Sequence, residues 1–497
     1  MSRGLLNKWI RLHAAALLAT ATPLTPAVAT PATPAPAKVG VTFPFLTVEA
    51  ENCQTTGEIL GRVEYRQPAM YASGRKCVRL TANQSVAFTS PLDANTIVIR
   101  FSAPVPNARR NGSLSLYVNG TFRQQIHIVS THIEGANPPV PAVPDTDKSR
   151  SSIIEYYSGL EKAQKTGMIF DEVDAFIKGG VKRGDRLELR CDPDDNFDWI
   201  IVDCVDLELV PPPLPQPQGS LSVTEFGARP DDDRDDRAAI SKCISIAASQ
   251  RRAVWIPPGR FLLSDTIELD TGTSICGAGI WYCTLYMTAS NVADRLKSQA
   301  FHVRGNNISV SNLRIDSAQW CRWRSGFAFR GGGNNLTVSN VWVTHTEGGA
   351  WLMGNFRGAL FANSRIRSTY ADGINFREGY SDVVISNNHI RGVGDNGIAI
   401  RSKTSDTRGR PCAMQQRVRI LHNTVLCPYT AHCITLWGGR DHLIENNFLA
   451  DPSTSGCLQI GVFDYDTEYP LLDAVIRNNI LLRGFGWAFG RPHANCE

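Results

Sequence analysis

The chain has 497 residues, too many for one ordinary hydrophobic core, so two or more domains are expected. Its 51 Lys and Arg against 47 Asp and Glu leave a net charge of +4, with no basic tract of the kind that tracks nucleic acid. That balance selects no nucleic-acid partner, and 41 glycines with a heavy use of Asn point to many turns and little long helix.

Residues 1–29 have the three parts of a secretory signal: Arg3, Lys8 and Arg11, a short apolar stretch at 12–21, and a small-x-small site at Ala27-Val28-Ala29. The apolar stretch is too short to span a bilayer, and no other segment has 18 consecutive apolar residues. The mature chain is therefore expected to begin near Thr30 and to be secreted, without a membrane partner. Thirteen cysteines suit an oxidising compartment. None forms a CxxC pair, which argues against zinc, and the odd count leaves at least one thiol free or in an intermolecular bond.

A Pro/Ala/Thr-rich linker at 30–43 leads into residues 44–210, which read as short alternating strands. Val86 and Phe88, then Ile97, Ile99 and Phe101, then Leu114, Leu116 and Val118 alternate with polar neighbours. Asn119-Gly120 between that last run and 122–128 is a hairpin signal, and 187–190 and 200–209 continue the pattern. This predicts a β-sandwich; the stretch 131–170 breaks the alternation and is left unassigned. Pro211-Pro212-Pro213-Leu214-Pro215-Gln216-Pro217 predicts a semi-rigid extended linker over 211–219.

From 220 to 497 the period changes. A capped helix is expected near 238–249, followed by a strand and sharp turn at 254–259. A repeat then appears, apolar-x-Asn-x-x-apolar, with its third place at Asn312, Asn340, Asn363, Asn387, His422, Asn446 and Asn478. A second half, Gly-apolar-x-apolar, places Gly326, Gly349, Gly373, Gly397, Cys433, Cys457 and Gly486. Units of 23–24 residues recur with Asn at a fixed bend, and longer units carry loops. Such a repeat predicts a right-handed parallel β-helix whose amides hydrogen-bond up and down the stack. The Leu-x-x-Leu-x-Leu pattern of a leucine-rich repeat is absent.

Aligning the second halves puts Asp372, Asn396 and His432 in one column, with Asp395 one place before Asn396. In-register residues of successive coils lie one strand spacing apart, about 4.7–4.9 Å. Asp or Asn before Gly is ordinary turn chemistry, but two carboxylates this close cost Coulomb energy that Asn at both places would avoid. Such a pair tends to split into one protonated and one ionised group, as glycosidic cleavage requires.

The segments 349–354, 370–376 and 394–400 resemble glycoside hydrolase family 87, which holds the α-1,3-glucanases and mycodextranases. Ala371-Asp372-Gly373-Ile374-Asn375 and Gly394-Asp395-Asn396-Gly397-Ile398-Ala399 are its most specific element. The resemblance extends to 48–52, 72–75 and 254–259. It implies a secreted inverting hydrolase of an α-linked glucan, with a catalytic cluster of three aspartates at the places of 372, 395 and 396. Here Asp372 and Asp395 are the catalytic candidates, and Asn396 stands at the third place. An amide is neither acid nor base, though it can orient water or sugar.

Beside them His432, Trp437, Trp351, Tyr370 and Arg377 are candidates for substrate binding, the aromatic ones by stacking on sugar rings. Glu378 and Arg401 could line subsites, and Asp464 and Asp466 could face the cleft from the next coil. Residues 231–236, an acidic run, are read as capping the helix that follows. No catalytic cofactor and no protein partner are expected. Glu49, Glu51 and Asp206 resemble the structural calcium site of carbohydrate-binding modules of families 6 and 35. Two other functions fit the same scaffold. One is a polysaccharide lyase or epimerase, with Arg377 or Arg401 as base and calcium bridging Asp372 and Asp395. The other is a glycan-binding protein weakened in catalysis by Asn396.

Overall fold

A computed structural model describes residues 38–64, 67–104, 111–130, 168–288, 300–318 and 326–484. The expected signal sequence, most of the unassigned stretch, Gly486 and Cys496 lie outside the described residues.

The first domain is two antiparallel sheets packed face to face. One runs Glu58–Leu60, Cys77–Leu80, Ile200–Glu208, Ala94–Ser102, Asp171–Val181, with Phe45–Glu49 also paired to Ile200–Glu208. The other runs Gln54–Thr55, Ser85–Thr89, Arg186–Arg190, Asn111–Val118, Thr121–Val129. The alternating residues do what their period requires. Ile97, Ile99, Phe101, Leu114, Leu116, Leu187, Leu189, Val205 and Leu207 meet in one buried core between the sheets. At the hairpin, Asn119 and Gly120 have φ of 51° and 80°, the paired positive values that a two-residue turn between twisted strands needs.

The second domain is a parallel β-helix. Its helix Arg237–Ser249 buries Ile240, Cys243, Ile244 and Ala247 against the first coil. Of the acidic run before it, Asp235 accepts the N–H of Arg237 at the helix start, while Asp236, at the N-cap, makes no capping side-chain bond. The carboxylates mainly pin the loop to the next strand: Asp231 accepts from the Arg260 N–H, Asp235 from Ser264 and Asp236 from Leu262. Strands Ile267–Leu269, Phe301–Val303, Phe329–Gly331, Ala350–Leu352, Ile374–Arg377, Ile398–Arg401, Ile434–Trp437 and Leu458–Gly461 stack into one eight-stranded parallel sheet. Their inward residues, among them Ile374, Phe376, Ile398, Ile400, Ile434 and Leu436, belong to one continuous core.

The repeat's third place earns its Asn through backbone geometry. Asn312, Asn340, Asn363, Asn387, His422, Asn446 and Asn478 all have φ between 49° and 59°, a left-handed bend that Asn tolerates better than most residues. Their side chains do ladder, Asn340 to Asn312 at 2.7 Å and Asn387 to Asn363 at 2.8 Å. A second ladder lies beside it. The Oδ1 atoms of Asn388, Asn423, Asn447 and Asn479 each accept the backbone N–H of the preceding coil at 2.9–3.0 Å.

The second half of the repeat stacks as aligned from Gly349 through Gly373, Gly397 and Cys433 to Cys457. Gly326 is the exception: Phe329 pairs with Ala350, so Ala328 and not Gly326 stands beside Gly349. The extra residues of that coil fall after its Gly, which shifted the alignment by two.

Residues 38–42, expected as linker, lie across the helix: Gly40 donates to the Asn446 carbonyl, Val41 to Thr424 and Thr42 to Asn387. The proline run is likewise held, Leu214 N–H on the Ala278 carbonyl and the Tyr282 hydroxyl on the Pro211 carbonyl.

Between sandwich and helix runs a seam of buried charge. Arg365 pairs with Glu208 at 2.8 Å, and Arg367 with Asp206 at 2.8 Å and Glu172 at 3.1 Å. Arg391 pairs with Glu172 at 2.6 Å and Asp206 at 2.9 Å. His345 bridges Asp171 of the sandwich, at 2.9 Å, to Asp316 of the helix, at 2.8 Å. Two carboxylates push His345 up to about 10 although burial alone would lower it. Beside the seam Met70, Tyr71, Met168 and Phe170 pack on Tyr370 and Tyr429.

This seam corrects two expectations. Asp206 is not a metal ligand: both its oxygens serve the seam, taking Thr47, Arg367 and Arg391, and the two arginines hold it far below the ordinary carboxylate range. Tyr370 is 2% exposed and belongs to the apolar cluster under the sandwich, so its ring is not a platform for sugar. The eleven described cysteines are all free thiols, most of them buried.

Candidate active site

Coil stacking brings the expected column together. Asp372, Asn396 and His432 occupy the same register on three neighbouring coils, each one residue before a stacked Gly or Cys. A Cβ on Gly373 would lie 2.5 Å from the Gly397 carbonyl oxygen, so the close approach of coils here requires glycine.

Asp372 is 4% exposed and three N–H groups point at it. Asn375 Nδ2 donates to Oδ2 at 2.9 Å, and Oδ1 takes the Asn396 backbone N–H at 3.2 Å and its Nδ2 at 3.1 Å. The same Asn396 Nδ2 reaches Asp395 Oδ1 at 3.1 Å, so one amide bridges the two carboxylates. The two bridged oxygens are therefore no more than about 6.2 Å apart. Asn396 Oδ1 in turn accepts the His432 backbone N–H at 3.3 Å. Burial holds His432 down to about 4 against the opposing pull of Asp395, which leaves the ring neutral in neutral solution. Asp395 is half-buried, the more open of the two acids.

The outward residues of the eight-stranded sheet form the floor around this cluster. Trp351 stacks on Phe327 at 5.1 Å and carries the Arg377 guanidinium 4.8 Å over its ring. Arg377 is held down at about 10, by burial first and then by Arg401, its register neighbour on the next coil. Arg401 is tied to Glu468 and lies 5.6 Å over Trp437 and 5.0 Å over Phe463. Trp437 is buried, with its Nε1 on Gln459 at 3.2 Å and its ring 5.0 Å from Phe463. Glu378 is buried with φ of 64° and serves the turn after its strand. Asp464 closes a turn through Thr467, and Asp466 donates its backbone N–H to Asp464, so neither joins the carboxylate cluster.

Four residues here escaped the sequence reading. Asn375 follows Asp372 by three on the outward phase of its strand, a signal that the alternation does contain. Glu468 organises the loop after Trp437 by accepting the Phe463 and Asp464 N–H groups. That loop presents Phe463 and Tyr465 at 58% and 65% exposure, and no periodicity marks them.

In the sandwich, Glu49 and Glu51 each keep one buried oxygen without a hydrogen-bond partner among the described residues. Burial, then Asp203 and Glu51, push Glu49 up to about 7. Asp203 is committed to Arg100 and the Ser73 N–H. Among the described residues no set of three His, Cys, Asp or Glu side chains is placed to hold a metal. The pair Glu49 and Glu51 offers hard oxygens to a cation; Asp206 does not.

Two carboxylates bridged by one amide on adjacent coils of a parallel β-helix, floored by aromatic and guanidinium groups, form the arrangement of a polysaccharide-cleaving enzyme, and comparison with known proteins makes the class glycoside hydrolase. Residues 42–210 match the model of α-1,3-glucanase catalytic domain D1, and 238–483 that of catalytic domain D2. The chain belongs to glycoside hydrolase family 87, the α-1,3-glucanases. It is similar to the catalytic unit of a thermostable family 87 α-1,3-glucanase from Streptomyces thermodiastaticus strain HF3-3. Identity is 26% and the TM-score 0.72, over 90% of this chain and 76% of that one. The Agl-KA catalytic domain shares the fold at a TM-score of 0.76 and 23% identity, over 92% and 80% of the two chains. A family 87 catalytic domain solved with nigerose does so at 0.70 and 24%, over 88% and 75%. No curated protein matches the chain. The lyase and epimerase class is set aside by this membership.

Proposed function

We propose that the Asp372–Asp395 site hydrolyses an α-1,3-linked or mixed α-1,3/α-1,4-linked glucan with inversion at the anomeric carbon. One observation carries this reading: a single amide, Asn396, holds Asp372 and Asp395 on adjacent coils in one cluster. The three N–H groups on Asp372 favour its carboxylate over its acid form, which suits a general base. Asp395, the other carboxyl of the pair, is then assigned as the proton donor. Asp395 gives its proton to the glycosidic oxygen as the C1–O bond breaks. Water adds to C1 from the opposite face, and Asp372 takes the proton it sheds. Asn396 cannot share that proton, but its amide keeps both acids in place.

The spacing of the cluster supports the assignment. Solved family members carry Asp→Ala changes at two adjacent positions and at one 23 residues before them, the spacing of Asp372, Asp395 and Asn396. Those proteins are described in complex with nigerose or tetrasaccharides. The bridged oxygens lie no more than about 6.2 Å apart, short of the roughly 6.5–9.5 Å typical of inverting pairs, so inversion rests on the family resemblance and is decided by the first anomer formed.

The test is to incubate the protein with α-1,3-glucan and with alternating α-1,3/α-1,4-glucan, following reducing ends and the first anomer formed. A β-anomer from either polymer, lost in Asp372→Asn and Asp395→Asn, is expected. An α-anomer would refute inversion. Binding without release of reducing ends, unchanged by Asp372→Asn, would replace hydrolysis by a glycan-binding role. Two further readings go with this one: export through the signal at 1–29, supported by its three-part composition, and a structural calcium ion on Glu49 and Glu51, supported by their two unpartnered oxygens.

A further inference from the structure

We infer that Asn375 and Arg377 form a two-point clamp for the hydroxyls of the sugar ring held against Asp372, and so set which sugar the site accepts. The inference rests on the hydrolase reading above and deepens it.

Both residues lie on strand Ile374–Arg377, whose Ile374 and Phe376 point into the core. Alternation therefore turns Asn375 and Arg377 outward, about 6.7 Å apart along the strand. Asn375 is 5% exposed and its amide is half used. Nδ2 holds Asp372 at 2.9 Å, whereas Oδ1 is buried with no hydrogen-bond partner among the described residues. Arg377 Nε is buried and unpartnered in the same way. Its guanidinium lies on the face of Trp351 and beside Arg401, a cation, in register on the next coil.

A buried acceptor and a buried donor left unmet are costly unless something else meets them. Sugar hydroxyls supply both halves, since each can give one proton and take another hydrogen bond. The small Ala399 is in register with Asn375 on the next coil, and Trp351 is in register with it on the preceding coil. A ring seated there donates one hydroxyl to Asn375 Oδ1 and accepts from Arg377 Nε with another. Because the same amide fixes Asp372, filling the clamp also fixes the base. Asn375 is thus a positioning residue as well as a specificity residue.

The test uses a 1,3-linked α-gluco-oligosaccharide and its singly deoxygenated analogues, with hydroxyls at carbons 2, 4 or 6 of the ring removed in turn. The wild-type chain is expected to lose about 10- to 100-fold in kcat/KM on at least one analogue. In Asn375→Ala that discrimination falls below about 3-fold, and the acid limb of the kcat/KM profile moves to higher pH, because the carboxylate has lost a donor. Arg377→Met, which keeps the apolar stem on Trp351, is expected to abolish discrimination at a different hydroxyl. Circular dichroism confirms that each variant folds. Full discrimination retained by Asn375→Ala on every analogue overturns the clamp. If the wild type releases no reducing ends, the hydrolase reading fails by itself, and the same analogue series read as Kd by calorimetry decides the clamp separately.

Discussion

His345 offers the sharpest test of how sandwich and helix are joined. It is buried between Asp171 of one domain and Asp316 of the other, and both carboxylates hold its proton. With a native value of about 10 against an ordinary 6.5, the protonated ring contributes stability in full below pH 6.5. That contribution drains away as pH rises through 10, at about 1.4 kcal/mol per pH unit. Over the whole window it amounts to about 5 kcal/mol at most. His345→Gln removes the titration while keeping an amide of similar length. Urea unfolding followed by tryptophan fluorescence at pH 6.5, 8 and 9.5 measures the effect. The wild type is expected to be several kcal/mol more stable than the variant at pH 6.5, with the gap narrowing at each step. A gap that stays constant from pH 6.5 to 9.5 would refute the charged His345 bridge, since the native and unfolded histidines would then bind protons alike.

Three further outcomes follow from other contacts. Arg391→Met leaves Glu172 and Asp206 with Arg367 as their one remaining buried cation and should lower unfolding stability by about 3 kcal/mol, whereas Arg477→Met, at an exposed pair, should leave the urea midpoint where it is. Calcium should raise the melting temperature more at pH 8 than at pH 5, because Glu49, held near 7, must give up its proton to bind; Glu49→Gln should abolish the response, and an equal shift in that variant would exclude the site. Phe463→Ala, which strips an exposed ring from beside Trp437, should raise KM on α-glucan about 5- to 10-fold with kcat little changed.

The β-helix was legible because its requirements are local and repeat. A left-handed bend at a fixed point in each coil selects Asn, and Asn recurs at Asn312, Asn340 and Asn363 through Asn478. Register then follows by counting, which sets Asp372 and Asn396 side by side from the sequence alone. Counting failed where a coil gained residues on the wrong side of its marker, at Gly326. What could not be read was any property owed to the other domain. Tyr370 has the composition of a sugar platform, and only the sandwich packed over it makes it core. Asp206 has the composition of a metal ligand, and only Arg367 and Arg391, far along the chain, claim its oxygens. Asn375 is hidden for a different reason: its outward phase is visible, but an amide holding a carboxylate is indistinguishable in sequence from the many ladder asparagines around it.

The charged seam has a consequence for how the molecule would meet an insoluble polymer. A binding module on a slack tether lets its catalytic partner sweep the neighbourhood of one anchoring point, and its benefit is set by linker length. Here the proline run is fastened at both Pro211 and Leu214, and guanidinium–carboxylate pairs lock the sandwich to the coils. Any glucan held by the sandwich therefore reaches the cleft at one fixed distance and angle. Chains packed so that they match that vector would be engaged at two points together, and chains packed otherwise at one. Were the sandwich to hold glucan, that rigidity would make the spacing between polymer strands something the enzyme could discriminate.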